Sequence, residues 1–459
     1  MRSSPGAAGS GLPIYLTGVF IGALDTGVLG PAFPLIAHGF AISLAWTAWT
    51  ITVYTVAYVA CTVLAGALGD RYGRRRVFAW GVLAFGLASA LAAVSGAFWV
   101  FLAARALQGA GAGAVYPNAQ AEGIRHFPEA RRGMALGLFG AVFGLASIIG
   151  PNVGGALAQY LGWRWVFLVN IPVALLVLLL VPRLPPSPRS RRPMPDWLGG
   201  LAFAGLLASA LLAVALGGPS RLGAAVVALG LLTLFVLRQR GARTPFLDPT
   251  PLAGTSGVAM MLGAAMIGVG MSAAIFVPTL AQVVLHFSVL ASGAALLPAA
   301  VSGAVLAAAA GVMVDRIGPR RVLLAGLAAG VVGGILLASP RLALVTFVVA
   351  MLALGVSTAF TMGAPLNRMA LALYHDEQAA EALSLIAVCR AVGLAAGPVI
   401  LTLLQARYGF TGMYGGVAVA ALLGLLLFCL VPDVAPVRRT AHGEATAQPA
   451  AAARVARGE

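Results

Sequence analysis

Long apolar runs alternate along this chain with short polar breaks that carry arginine. Runs of spanning length fall at about 14–37, 46–69, 77–96, 98–122, 134–158, 164–182 and 197–217. They continue at about 222–238, 257–284, 290–314, 322–338, 342–367, 380–405 and 412–431. Each approaches the roughly 20 residues that cross a bilayer as a helix. The runs are continuously apolar, not alternating, which argues against a transmembrane barrel. The pattern predicts an all-α polytopic membrane protein of fourteen spans.

Composition and charge sharpen this picture. The 459 residues are 60% hydrophobic and only 9% charged, far from the roughly one quarter charged of a soluble domain. That excludes a soluble enzyme, a disordered chain and a secreted disulfide scaffold. The net charge of +16 comes from 29 basic residues, all of them Arg. With no Lys there is neither a complete Walker phosphate loop nor a Schiff-base lysine. With the N-terminus inside and the runs alternating, 23 of the 29 Arg fall on the cytoplasmic side. Four (Arg164, Arg221, Arg341 and Arg407) fall outside, and Arg105 and Arg390 are buried. This is the positive-inside distribution, so the charge marks orientation and does not call for nucleic acid. Cys61, Cys389 and Cys429 lie in apolar stretches and imply no disulfide framework. The first run carries a mid-segment acid and reads as a retained span, not a signal peptide.

The chain repeats itself. Gly66-Ala-Leu-Gly-Asp70-Arg71-Tyr-Gly73-Arg-Arg75-Arg76-Val77 recurs 245 residues later as Gly311-Val-Met-Val-Asp315-Arg316-Ile-Gly318-Pro-Arg320-Arg321-Val322. Duplicated halves are a transporter signature, with substrate bound where they meet. The expected organisation is a six-helix bundle over 1–182, then a cytoplasmic hinge with an inserted helix pair over 183–256. A second six-helix bundle follows over 257–432, with a disordered cytoplasmic tail over 433–459.

Of thirteen acidic residues, Asp25 is the one placed deep in a run, roughly 16 Å from its start. A charged carboxylate there costs several kcal/mol, which favours taking up a proton. Arg105 lies at nearly the same depth, roughly 12 Å from the outer end of its run. The pair is either a proton-coupling device or a static ion pair. Arg390, roughly 16 Å into its run, has no deep carboxylate in its own half. Backbone carbonyls, Asp25 and an anionic substrate group are all open as its partner.

Five segments carry a family resemblance. Leu24-Asp25-Thr26-Gly27-Val28 with Pro34 resembles the first-span motif of drug:proton antiporters, and 66–77 the loop motif of the major facilitator superfamily. Arg105-Ala-Leu-Gln108-Gly109-Ala-Gly111 is similar to the span-4 motif, and Gly150-Pro151-Asn152-Val153-Gly154-Gly155 to the span-5 antiporter motif. Trp163-Arg164-Trp165 through Asn170-Ile-Pro172 is similar to the start of span 6 in the fourteen-span drug:proton antiporters. The resemblance implies a major facilitator fold and a proton-driven exporter of small lipophilic compounds, with no cofactor and no enzymatic activity. It implies a monomer in the cytoplasmic (inner) membrane whose partners are substrate, protons and lipid. Export of an endogenous lipid or metabolite is the alternative. An intramembrane enzyme is remote, because there is one deep acid and no acidic cluster.

Proton coupling is expected from Asp25 and Arg105. Gating is expected from Gly66, Asp70, Arg71, Gly73, Arg75, Asp315, Arg316, Gly318, Arg321, Gly150, Pro151, Gly154, Gly155 and Arg390. Gly66 is expected to permit close helix packing, and the span-5 glycines to pack on the other half. Tyr54, Gln108, Asn118, Phe276, Gln282, Met362 and Asn367 are candidate substrate-lining residues.

Overall fold

The computed structural model describes residues 11–125, 132–187, 196–216, 218–241, 254–362, 364–373 and 376–433. Most of the expected hinge (188–195) and the tail beyond residue 433 lie outside the described residues. The described chain is helical and holds no strand. The first half comprises α1 (Leu12–Val28), α2 (Phe33–Gly39), α3 (Leu44–Tyr72), α4 (Arg74–Val94), α5 (Phe98–Arg125), α6 (Arg132–Tyr160), α7 (Trp165–Leu168) and α8 (Asn170–Leu180). Next come α9 (Trp197–Ala215) and α10 (Gly218–Gly241). The second half comprises α11 (Thr255–Ser272), α12 (Val277–Val283), α13 (Val289–Ala294), α14 (Leu297–Ile317), α15 (Pro319–Leu337), α16 (Leu344–Thr361), α17 (Ala364–Leu373) and α18 (Asp376–Cys429).

Among the described residues, 11 helices are long and apolar enough to cross a membrane. A bent pair, Ala45–Thr62 with Leu64–Tyr72 at 43°, brings the number to 12. The expected fourteen is not reached by this criterion. One reason is local: Leu385–Cys429 passes as a single 45-residue stretch, although α18 breaks at Gly409 (φ 68°, ψ −165°) into two helices. Large apolar side chains point outward in numbers no water-soluble fold tolerates, among them Leu87, Val94, Leu179, Leu222 and Val345. α10 rests on α9 and has no buried residue, as suits a helix whose other sides meet lipid. α9 in turn packs on α3 and α18, one helix from each half.

The buried core shows how the halves meet. One cluster draws on both halves and lies at the end away from the arginine-bearing loops: Val28, Phe33, Trp49, Phe101 and Trp163 with Phe276, Leu280, Phe347 and Tyr414. At the arginine-bearing end the core divides. Tyr15, Phe78, Val115 and Phe139 form a cluster wholly within the first half, and Met260, Leu323, Leu366 and Phe428 one wholly within the second.

Candidate functional site

Asp25 is placed by α1 and Arg105 by α5, and both side chains are 0% exposed. Arg105 Nη1 donates to Asp25 Oδ2 at 2.6 Å. Gln108 Nε2 and Asn170 Nδ2 donate to Asp25 Oδ1 at 3.0 and 3.1 Å. Arg105 and Gln108 are three residues apart on α5 and so share one side of the helix. The carboxylate thus has three donors, one of them charged, which is how a buried charge is tolerated.

Arg105 is held in turn. Its Nε donates to the Thr50 carbonyl at 3.2 Å, and the guanidinium lies 4.4 Å from the Tyr54 ring centroid. Gln108 Oε1 accepts from Arg105 Nη1, and Gln108 Nε2 also donates to Ser89 Oγ at 2.7 Å. Arg105 Nη2 is buried without a hydrogen-bond partner among the described residues. The arrangement balances one negative against one positive charge with almost nothing to spare. Protonating Asp25 would leave Arg105 buried opposite a neutral acid.

Two features here were not legible in the sequence. Asn170 stood within a recognised motif, but nothing in its spacing aimed it at Asp25. Glu122, at the end of an apolar run, has a 0% exposed side chain and meets Arg125 Nη2 at 3.0 Å. Asp25 is therefore not the only buried acid, because depth along a helix says nothing of which face is covered.

The remaining candidates divide between the two ends of the molecule. At the arginine-bearing end, Asp70 accepts from Arg74 Nη2 at 2.7 Å, and Arg75 donates to the Leu184 carbonyl. Arg71 and Arg316 are exposed. Asp315 meets Arg368 at 3.4 Å, and Arg321 meets Asp433 at 3.9 Å. Each of these contacts stays within one half. A Cβ at Gly66 would meet nothing within 4 Å, so Gly66 does not mark a close approach here. Gly69 does: Asn118 fills the space beside it and donates to the Ala65 carbonyl at 3.0 Å.

At the opposite end the halves interlock. Gly155 abuts the Val289 and Leu290 carbonyls, Gly293 abuts the Pro151 carbonyl, and Gly30 abuts the Ile275 carbonyl. Gln282 Nε2 donates to the Pro31 carbonyl at 3.1 Å, and the Leu290 N–H donates to Gln159 Oε1 at 2.8 Å. Phe276 is fully buried with its ring 5.7 Å from that of Phe33. Nearer the middle, Thr52 Oγ1 donates to the Ala395 carbonyl at 2.9 Å. The span-5 glycines are not all used across the halves, however. Gly150 and Gly154 pack against Gly27 and Val28 of α1, in their own half.

Of the candidate substrate-lining residues, Tyr54 and Gln108 join the ion pair. Asn118 ties α5 to α3, while Phe276 and Gln282 belong to the closed end. Met362 and Asn367 are exposed. Arg390 stands apart from Asp25, in α18.

Two halves related by a repeat and interlocked at one end, with a buried ion pair inside the first half, can be set beside known proteins. The sequence profile of the Major Facilitator Superfamily matches residues 15–398 and 262–458. The chain belongs to that superfamily. As a member it is a multi-pass membrane transporter and not an enzyme. It is 32% identical over 409 residues to puromycin resistance protein pur8 of Streptomyces alboniger, covering 85% of this chain and 80% of that one. It is 33% identical over 338 residues to the multidrug efflux pump LfrA of Mycolicibacterium smegmatis, covering 72% and 67%. The fold matches the xylose transporter XylE from E. coli with a TM-score of 0.66 at 14% identity, over 93% of this chain and 97% of that one.

Proposed function

We propose that the protein is a proton-coupled exporter of small lipophilic compounds that works by alternating access. The observation that carries this reading is the fully buried Asp25–Arg105 pair, whose balance a single proton upsets. Relatives named for puromycin resistance and multidrug efflux support the direction and the substrate class.

Taking the arginine-bearing end as cytoplasmic, the halves are joined at the outer end and separate toward the cytoplasm. The ion pair is formed in this inward-facing arrangement, so substrate enters from the cytoplasm while Asp25 is charged. After the halves rock outward, a proton from outside neutralises Asp25 as substrate leaves. Arg105 then loses its counter-charge. Breaking a buried pair from one side costs about 3–5 kcal/mol, enough to move a two-state equilibrium by roughly two to nearly four orders of magnitude. The protonated protein returns inward, where release of the proton re-forms the pair. Tyr54 and the Thr50 carbonyl hold the guanidinium while its partner is neutral.

The decisive experiment is uphill efflux by Asp25→Asn in energised membrane vesicles. The variant should still insert in the membrane and, measured per inserted protein, lose proton-driven transport. Undiminished uphill transport would falsify the coupling assignment. Efflux of a compound panel with and without a proton uncoupler separates a drug exporter from one dedicated to a single endogenous lipid or metabolite.

A further inference from the structure

Arg390 is a cation at mid-membrane that the ion-pair mechanism does not use. It stands about 21 Å of helix from the start of α18 and about 28 Å from the break at Gly409. Its carbonyl is packed against Gly268 of α11 with no room for a Cβ, which fixes the backbone. The side chain is half-buried. Among the described residues it makes no ion pair and no hydrogen bond. The groups that act on it electrostatically are Tyr116 and Tyr58, both from the other half.

The geometry that brings them together is the Thr52–Ala395 hydrogen bond, which clasps α3 to α18. From that clasp Tyr58 lies six residues along α3 toward the arginine-bearing end, about 9 Å. Arg390 lies five residues back along α18 toward the same end, about 8 Å. Tyr116 arrives from α5, with its hydroxyl accepting from Gln120 Nε2 at 3.1 Å. The Tyr58 ring stacks on Tyr54 at 6.4 Å and 10°, and Tyr54 is the ring beneath Arg105. Contacts therefore run from Tyr58 through Tyr54 to Arg105 and Asp25, and Tyr58 acts electrostatically on Arg390.

We infer that Arg390, Tyr58 and Tyr116 form a substrate site between the halves, and that it takes a planar lipophilic molecule by a carboxylate or another anionic group. A guanidinium at this depth needs a counter-charge, and two phenols supply acceptors without one. A ligand anion completes the set with charge-assisted, bidentate hydrogen bonds. The Tyr58 face offers a stacking surface for its aromatic body. Asp25 does not compete as a cation trap, because Arg105 already neutralises it. The site deepens the exporter reading, on which its place in a transport cycle rests, but its recognition chemistry stands on Arg390 alone.

The test uses one scaffold in two charge states: rhodamine 110, which bears a free carboxylate, and its methyl ester, rhodamine 123. Binding to the purified full-length protein is read by fluorescence anisotropy. The wild type should bind the carboxylate dye about tenfold more tightly than the ester. Arg390→Gln should erase that preference without changing the thermal unfolding of the protein. Arg390→Lys, which keeps a point charge but not the fork, should retain a smaller one and carries the test if the Gln variant does not accumulate. The inference is overturned if the wild type favours the ester or binds neither dye, or if the preference survives in Arg390→Gln. A wild type that shows the preference but moves neither dye uphill in proteoliposomes overturns the exporter reading and leaves the site standing.

Discussion

At Gly73 and at Gly318, 245 residues apart, the backbone makes the same left-handed turn, with φ 97° and 90°. Glycine meets that conformation without strain, and a new helix starts after each. Arg75 and Arg320 occupy matching places beyond these turns, and both do the same work. Arg75 donates to the Leu184 carbonyl, and Arg320 donates to the Phe428 and Cys429 carbonyls, so each staples the turn to the end of the last helix of its half. The acid before each turn behaves differently. Asp70 finds Arg74 four residues on, at 2.7 Å. In the second copy that place holds Pro319, and Asp315 reaches instead to Arg368 of α17 at 3.4 Å, with both side chains half exposed. Deeper in the membrane the contrast widens. The first half has a closed ion pair at Asp25 and Arg105, while the second offers Arg390, which makes no ion pair among the described residues. The repeat therefore preserves backbone geometry and carbonyl capping, and lets the electrostatics diverge: a closed ion pair in one half, and in the other a half-buried cation with no ion pair among the described residues.

The sharpest way to break this contrast is Arg105→Ala. It leaves a fully buried carboxylate opposed only by neutral donors and should destabilise the protein by about 3–5 kcal/mol, with loss of transport. Arg390→Gln, by contrast, should leave stability unchanged. A double-mutant cycle with Asp25→Asn isolates the pair: once the carboxylate is gone, removing Arg105 should cost far less. Thermal unfolding of the four proteins checks it, and equal costs in both backgrounds would mean that Arg105 does not balance Asp25.

A smaller effect tests the shared part of the comparison. Arg75→Ala and Arg320→Ala each remove a cation from helix-terminal carbonyls and should cost about 1 kcal/mol apiece. Denaturation midpoints that differ strongly between the two would show that the halves are not capped alike. The smallest effect is expected at Asp315. Its pair with Arg368 is exposed, so Asp315→Asn should change stability by about 1 kcal/mol or less. Pro319→Arg should give Asp315 the neighbour that Asp70 has, and a double-mutant cycle with Asp315→Asn measures whether that pair forms.

The sequence carried the ion pair because two helix depths were enough to align Asp25 with Arg105. It carried the repeat because a turn that needs glycine at positive φ leaves an invariant spacing around it. It did not separate Gly66 from Gly69: both are helical glycines, and only the neighbour, Asn118 at Gly69, tells which is a close approach. It did not reveal the neighbours of Arg390, because Tyr58 and Tyr116 come from the other half and no spacing along one chain encodes that meeting. For the same reason Gln282 read as a candidate ligand contact, although its amide is spent on the Pro31 carbonyl. The spans were legible from apolar length alone, but their number blurs wherever a helix turns without a polar break, as at Gly409.

The Thr52–Ala395 hydrogen bond has a mechanical side. It joins the halves near mid-membrane, and about 30 Å of helix path in α3, bent by 43° between Thr62 and Leu64, extends beyond it to Tyr72 at the arginine-bearing end. That length is a lever and the hydroxyl is its fulcrum. A rotation of about ten degrees at the clasp sweeps the tip of such a lever through roughly 5 Å, the pitch of one helical turn. A single hydrogen bond fixes where such a pivot sits, while the close approaches at Gly155 and Gly293 join the halves along a seam nearer the outer end.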